Sequence, residues 1–354
     1  MRVTITAIVA VVLLWAAPTR ATVVFKFSSD PGTSPDAIGG FAAAGAMWSA
    51  LFTDNVTVNI HIAFTDTLPP QTLGSTSYAN TSASYTAVRD ALTADRITVH
   101  DTTAVSFLQP GAALNLVLNR TSNNPNGAGS ATSYLDSDGD ANNTTIRLTT
   151  ANAKALRLWP ATDPAADADI QFNSTFNWDF NRADGVTGYD FVGIAVHEIG
   201  HALGFVSGVD ILDNNSPPVA GPFRDDQFTY VSPADLFRFS TTSTNFGIGV
   251  IDWSADTRDK YFSIDGGTTK LAGFSTGGNF GDGRQASHWL DNLGIMDPTA
   301  AQGELLSIST HDTRLLDVIG WDPFTLATIP EPSTTALGLV GLLLVLRTTR
   351  RQLD

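Results

Sequence analysis

The sequence predicts an α+β fold in which strands and loops outweigh helices. Three observations carry this. Only three of the 35 acidic residues are Glu, so the acids are almost all Asp, which favours turns and caps over helix interiors. Val56 to Phe64 and Ala168 to Phe180 alternate apolar and polar residues, as half-buried strands do. Phe191 to Phe205 is apolar nearly all round, as a central buried helix is.

The other elements follow in order. Phe41 to Phe52 carries apolar residues at helical spacing. Ser82 to Asp95 is expected to form a second helix and Thr150 to Leu158 a third, with residues 120–145 a polar surface loop between them. Ile170 to Phe176 is the strand expected to accept an extended peptide by strand addition. Thr187, with Asp190 three residues on, resembles a capping-box start for the buried helix, and Gly204 is a suitable end. Residues 206–287 are dense in Gly, Asp, Ser and Thr, with short strands at Phe237–Phe239, Gly247–Trp253 and Tyr261–Ile264. Asp312 to Ile319 closes the domain as a short helix.

A chain of 354 residues accommodates one large domain or two subdomains. Hydrophobic residues make up 43% and charged residues 16%, which marks a globular chain rather than a disordered one. The net charge of −15 argues against nucleic acid as a partner, since phosphate binding needs clustered Lys and Arg. There is no Cys, so neither disulfides nor thiolate ligands contribute.

Both ends read as processing signals. Arg2, the apolar stretch Ile5 to Ala17 and the small residues around Thr19-Arg20-Ala21 make residues 1–21 an expected signal peptide. Near the other end Pro330-Glu331-Pro332 precedes the apolar run Ala336 to Leu346 and then Arg347, Arg350 and Arg351. That run is shorter than the about 20 residues a stable span needs, so membrane contact is expected to be transient. The order of its parts resembles the PEP-CTERM sorting tail of Gram-negative bacteria. The resemblance implies handling of residues 327–354 by an exosortase-type machinery and an exported protein of the cell surface, medium or exopolysaccharide matrix.

The chemistry is concentrated in His197-Glu198-Ile199-Gly200-His201. Positions i and i+4 share one helix face, so His197 and His201 offer two imidazole nitrogens to one Zn²⁺. Glu198 is one residue on, where it faces the water side of such a metal as a general base. A catalytic zinc takes a third protein ligand. By residue type the candidates are His61, His100, His288, His311, Asp210 and Asp213. Asp136-Ser137-Asp138-Gly139-Asp140 is similar to a calcium loop, but its glycine is misplaced for an EF-hand and no Glu closes it. A solvated turn is therefore the first expectation there, and a structural Ca²⁺ in the Asp-rich loops the second.

The run His197 to Phe205 resembles the active-site helix of the leishmanolysin family of metzincins. Ser207 stands where the compact metzincin pattern places its third His. In leishmanolysins a long insertion precedes the third His, and a Met-turn follows it. Ser287-His288-Trp289 and Gly294-Ile295-Met296-Asp297-Pro298 resemble those two parts, which implies His288 as third ligand and Met296 as the Met-turn residue. Together with Asp317-Val318-Ile319-Gly320-Trp321 they are also similar to a group of PEP-CTERM-bearing bacterial metallopeptidases. The resemblance implies a metzincin-like zincin: a twisted sheet and helices over 22–205 with a central zinc helix, and a loop-rich C-terminal subdomain over 206–326. The implied activity is zinc-dependent hydrolysis of protein or peptide substrates. The alternatives are a zinc hydrolase of a non-peptide bond, or a metal-stabilised matrix or surface-binding protein.

Overall fold

The computed structural model describes residues 22–324, so the terminal segments 1–21 and 325–354 lie outside the described residues. One compact unit ends at Pro323; of the second, from Phe324 on, only Phe324 is described. In chain order the first half forms β1 (Val24–Ser29), α1 (Pro35–Ser49), β2 (Thr57–Thr65), β3 (Gly74–Tyr78), β4 (Asn80–Ser84), α2 (Tyr85–Asp95), α3 (Val99–Ser106), β5 (Leu116–Leu118), β6 (Tyr134–Asp136), α4 (Ala141–Thr144), β7 (Thr145–Thr149), α5 (Thr150–Ala155) and β8 (Ala168–Asn173). The second half adds β9 (Trp178–Asp179), β10 (Tyr189–Asp190), α6 (Phe191–Ala202), α7 (Val209–Asn214), β11 (Arg238–Phe239), α8 (Thr241–Phe246), β12 (Ile251–Asp252), β13 (Lys260–Phe262), β14 (Ala272–Phe274) and α9 (Thr310–Val318). The fold is α+β. Among the described residues, no helix is long and apolar enough to cross a membrane.

The main sheet has the order β1-β2-β8-β3. β1, β2 and β8 run parallel, and β3 is antiparallel to β8. Alternation puts Val58, Ile60, Ile62, Ile170 and Phe172 in the core. β8 is not the strand open to an extended peptide, contrary to expectation, because it is paired on both sides; β3 is the edge. β3 reads Gly-Ser-Thr-Ser-Tyr and has no apolar alternation, so its pairing rests on register with β8 rather than on a buried face of its own.

α1 starts at Pro35, six residues before the expected Phe41. Ser34 caps it by accepting a hydrogen bond from the Ala37 amide, and Pro35 supplies the preset φ of a first helical residue. Residues 82–84 belong to β4, which pairs with β7, so the second helix begins at Tyr85 behind the Ser84 cap. Segment 120–145 contains β6 and α4 in addition to loop.

α6 is enclosed: ten of its twelve residues are buried. Its N-cap is Asp190, whose side chain accepts from the Gly193 amide, and not Thr187, which donates instead to Asp179. Phe191 packs against Phe41 and Phe172, and a Cβ at Gly40 would lie 2.4 Å from its ring, so the close approach of α1 needs that glycine. The Trp48 indole donates to the Val196 carbonyl at 3.0 Å. α6 ends at Ala202 with Leu203 as its C-cap, and the chain turns away at Gly204, whose φ of +113° suits glycine. β12 returns from the second half to pair with β5, beside β6.

α9 closes the unit through a capping box between Ser309 and Asp312. Nearby, burial pushes the carboxyls of Asp54 and Asp95 up to about 7 and that of Asp317 up to about 8, from an ordinary 3.8. The folded state therefore binds these protons more tightly than the unfolded chain. Their stabilising contribution is full below the unfolded pKa and is lost as pH climbs through about 7 to 8. Asp317→Asn should therefore raise Tm more at pH 8.5 than at pH 5, read by thermal scans at both values. An equal shift at both would refute the linkage.

Candidate metal centre

α6 places His197 and His201 on one face, one turn apart, with Nε2 atoms 3.2 Å from each other. His288, 91 residues beyond His197, brings its Nε2 to 3.3 Å from that of His197. Its ring stacks over His197 at 5.2 Å and stands edge-on to His201 at 4.9 Å. His288 is carried by an extended segment that bridges to β14: the Ser275 amide donates to the His288 carbonyl, and Phe274 pairs with Trp289.

All three rings are oriented from behind. Nδ1 of His197 donates to the Ile295 carbonyl at 2.7 Å, that of His201 to Phe205 at 2.8 Å and that of His288 to Gln285 at 3.2 Å. A carbonyl only accepts, so each Nδ1 carries the hydrogen and each Nε2 is free to bind a metal. Burial holds His201 down at about 3 and His288 well below the ordinary histidine value, so both are neutral at pH 7. Three nitrogens about 2.0–2.1 Å from one tetrahedral ion stand about 3.3–3.4 Å apart. The His197–His201 and His197–His288 spacings match, His288 and His201 lie within 4.8 Å by their ligand atoms, and the donor set fits a divalent metal.

The rival third ligands have other work. Asp210 accepts from the Ala286 amide at 2.6 Å, the Ser287 amide at 3.1 Å and the Ser287 hydroxyl, so it anchors the segment that carries His288. Asp213 accepts from the Asn279 and Phe280 amides. His61 pairs with Asp30 and Asp169, His100 with Asp317, and His311 lies beside Trp289.

Glu198 is 5% exposed. The Thr76 hydroxyl on β3 lies 2.6 Å from Glu198 Oε2 and 3.0 Å from its carbonyl. Burial raises the Glu198 carboxyl above the ordinary range, against the opposing pull of His197 and Thr76. A Cβ at Gly74 would come within 2.8 Å of Glu198 Oε1, so the edge strand is shaped around this carboxylate.

Met296 is fully buried beneath α6, where a Cβ at Gly200 would lie 2.4 Å from its sulfur. The preceding carbonyl, of Ile295, is the one that holds His197. Asp312 organises this turn: it accepts from the Ile295 and Met296 amides, the Ser309 amide and the Trp289 indole. Thr76, Gly74 and Asp312 went unassigned by sequence reasoning. Only Asp312 had a local signal, the Ser309-x-x-Asp312 capping spacing.

A pocket of about 260 Å³ opens between Ser77 and Tyr78 of β3 and the Val206–Gly208 segment that follows Phe205, with Arg147 and Tyr230 in its wall. Comparison with protein-family models, with curated proteins and with solved structures gives no match to this chain.

Proposed function

We propose that this chain is a zinc-dependent endopeptidase of metzincin type, similar to the leishmanolysins. One observation carries the reading: three imidazoles from two distant segments converge within reach of one ion, next to a buried carboxylate that hydrogen-bonds to an exposed sheet edge. His197, His201 and His288 would hold the metal, and a zinc ion there supplies Lewis acidity toward a carbonyl and toward water. Three protein ligands leave a coordination position open, whereas structural zinc sites are closed by four. That favours catalysis over a purely structural metal.

The chain's own residues supply the rest. The free edge of β3 pairs with an extended peptide and sets its carbonyl over the histidine cluster. Glu198 accepts the proton of the attacking water at a carboxylate oxygen, holds it, and delivers it to the leaving amine nitrogen. The Thr76 hydroxyl orients that carboxylate. The terminal segments extend the proposal to an exported protein, with residues 327–354 read by an exosortase-type machinery.

The test is metal content together with cleavage of casein and of internally quenched peptides. One zinc per chain with internal cleavage sites is the expected result. Full zinc without cleavage would turn the reading to a hydrolase of a non-peptide bond. A positional check is Gly74→Val, whose side chain meets Glu198 Oε1. It should keep the zinc and lower kcat/KM by about 10-fold or more, because small misplacements at a reacting centre cost up to about 100-fold.

A further inference from the structure

A second cluster of metal-binding type lies outside the histidine centre. Asp136 ends β6, Asp138 follows in the turn, and Asp225 comes from a distant one-turn helix, Asp225–Gln227. One carboxylate oxygen from each lies within 4.8 Å of the others. Asp136 is 3% and Asp225 2% exposed. Among the described residues, no Lys or Arg forms an ion pair with any of the three. Like charges so placed repel, and burying unpaired carboxylates is costly unless a cation compensates them.

Asn142 is an independent indication. It is fully buried and its amide nitrogen donates to Asp136 Oδ2 at 2.7 Å, which sets the amide group against the cluster. Its amide oxygen has no hydrogen-bond partner. Buried carbonyl oxygens are rarely left so, and an amide oxygen is a ligand that calcium accepts.

We propose that Asp136, Asp138, Asp225 and the Asn142 amide oxygen form a calcium site. The donors are all oxygen, which selects a hard cation over zinc. Exposed Asp138 leaves a side open to water ligands. Asp140 has a different part: its side chain caps α4 through the Asn142 amide. Asp225 takes the place of the closing Glu that the Asp136–Asp140 run lacks. The ion clamps the β6–α4 turn to the segment after α7, in a chain without disulfides. The site is independent of the proposed peptidase activity.

The test uses the full chain, zinc-loaded and stripped of calcium, titrated with CaCl₂. One calcium should bind by calorimetry and raise Tm by about 5 °C near saturation, with a smaller shift for MgCl₂. Asp225→Asn should abolish the response, and Asp138→Asn should weaken binding about tenfold or more. Asp138 is exposed, so that variant decides the matter if Asp225→Asn fails to fold. The Tyr134 hydroxyl lies 3.2 Å from Asp225 Oδ2, so Tb³⁺ bound here should emit on tyrosine excitation, and Tyr134→Phe should reduce that emission. No calcium response in the wild type, or an equal response in Asp138→Asn, overturns the site.

Discussion

Glu198→Gln should lower kcat/KM for peptide cleavage by about 10²–10⁴-fold while the metal stays bound. Glutamine has the shape of the carboxylate and still accepts from the Thr76 hydroxyl, so positioning survives. What is lost is the oxygen that takes and returns a proton. Glu198 donates nothing to the histidine orientation, which rests on the Ile295, Phe205 and Gln285 carbonyls. Metal content should therefore remain at one per chain. Stability should hold or rise, because burial opposes the ionised form at this position. The measurement is fluorogenic peptide turnover beside elemental analysis and a melting curve. Cleavage within tenfold of wild type would place the general base elsewhere.

His288→Ala should empty the centre. Two imidazoles on one helix face remain, and a catalytic zinc site needs three protein ligands. Metal should fall below about a tenth of an equivalent after dialysis, and activity should fall with it. Tm should drop as well, because a metal bound only to the folded state contributes to stability by mass action. Asp213→Asn is the matched control. Its carboxylate serves the Asn279 and Phe280 amides, so that variant should keep the metal even where the loop loosens. Full metal in His288→Ala would refute the assignment.

Sequence by itself determined the local features. The i, i+4 spacing of His197 and His201 is a property of any helix, the apolar run from Phe191 makes that helix central, and Gly204 turns the chain away beyond it. The alternation of Val58, Ile60 and Ile62, and of Ile170 and Phe172, specified two strands. Helix starts were less legible, because a cap such as Ser34 or Asp190 depends on one hydrogen bond rather than on a repeating pattern.

Tertiary structure alone decided which distant residues meet. β3 has no apolar face to announce it, yet it carries Thr76 to Glu198 and forms the sheet edge. Nothing near Asp210 in the chain distinguishes a metal ligand from an anchor for Ser287, and Asp225 shows no local link to Asp136. Periodicity reports which face of an element is buried. It carries no information about which segments, brought together by folding and held by backbone hydrogen bonds, will share one site.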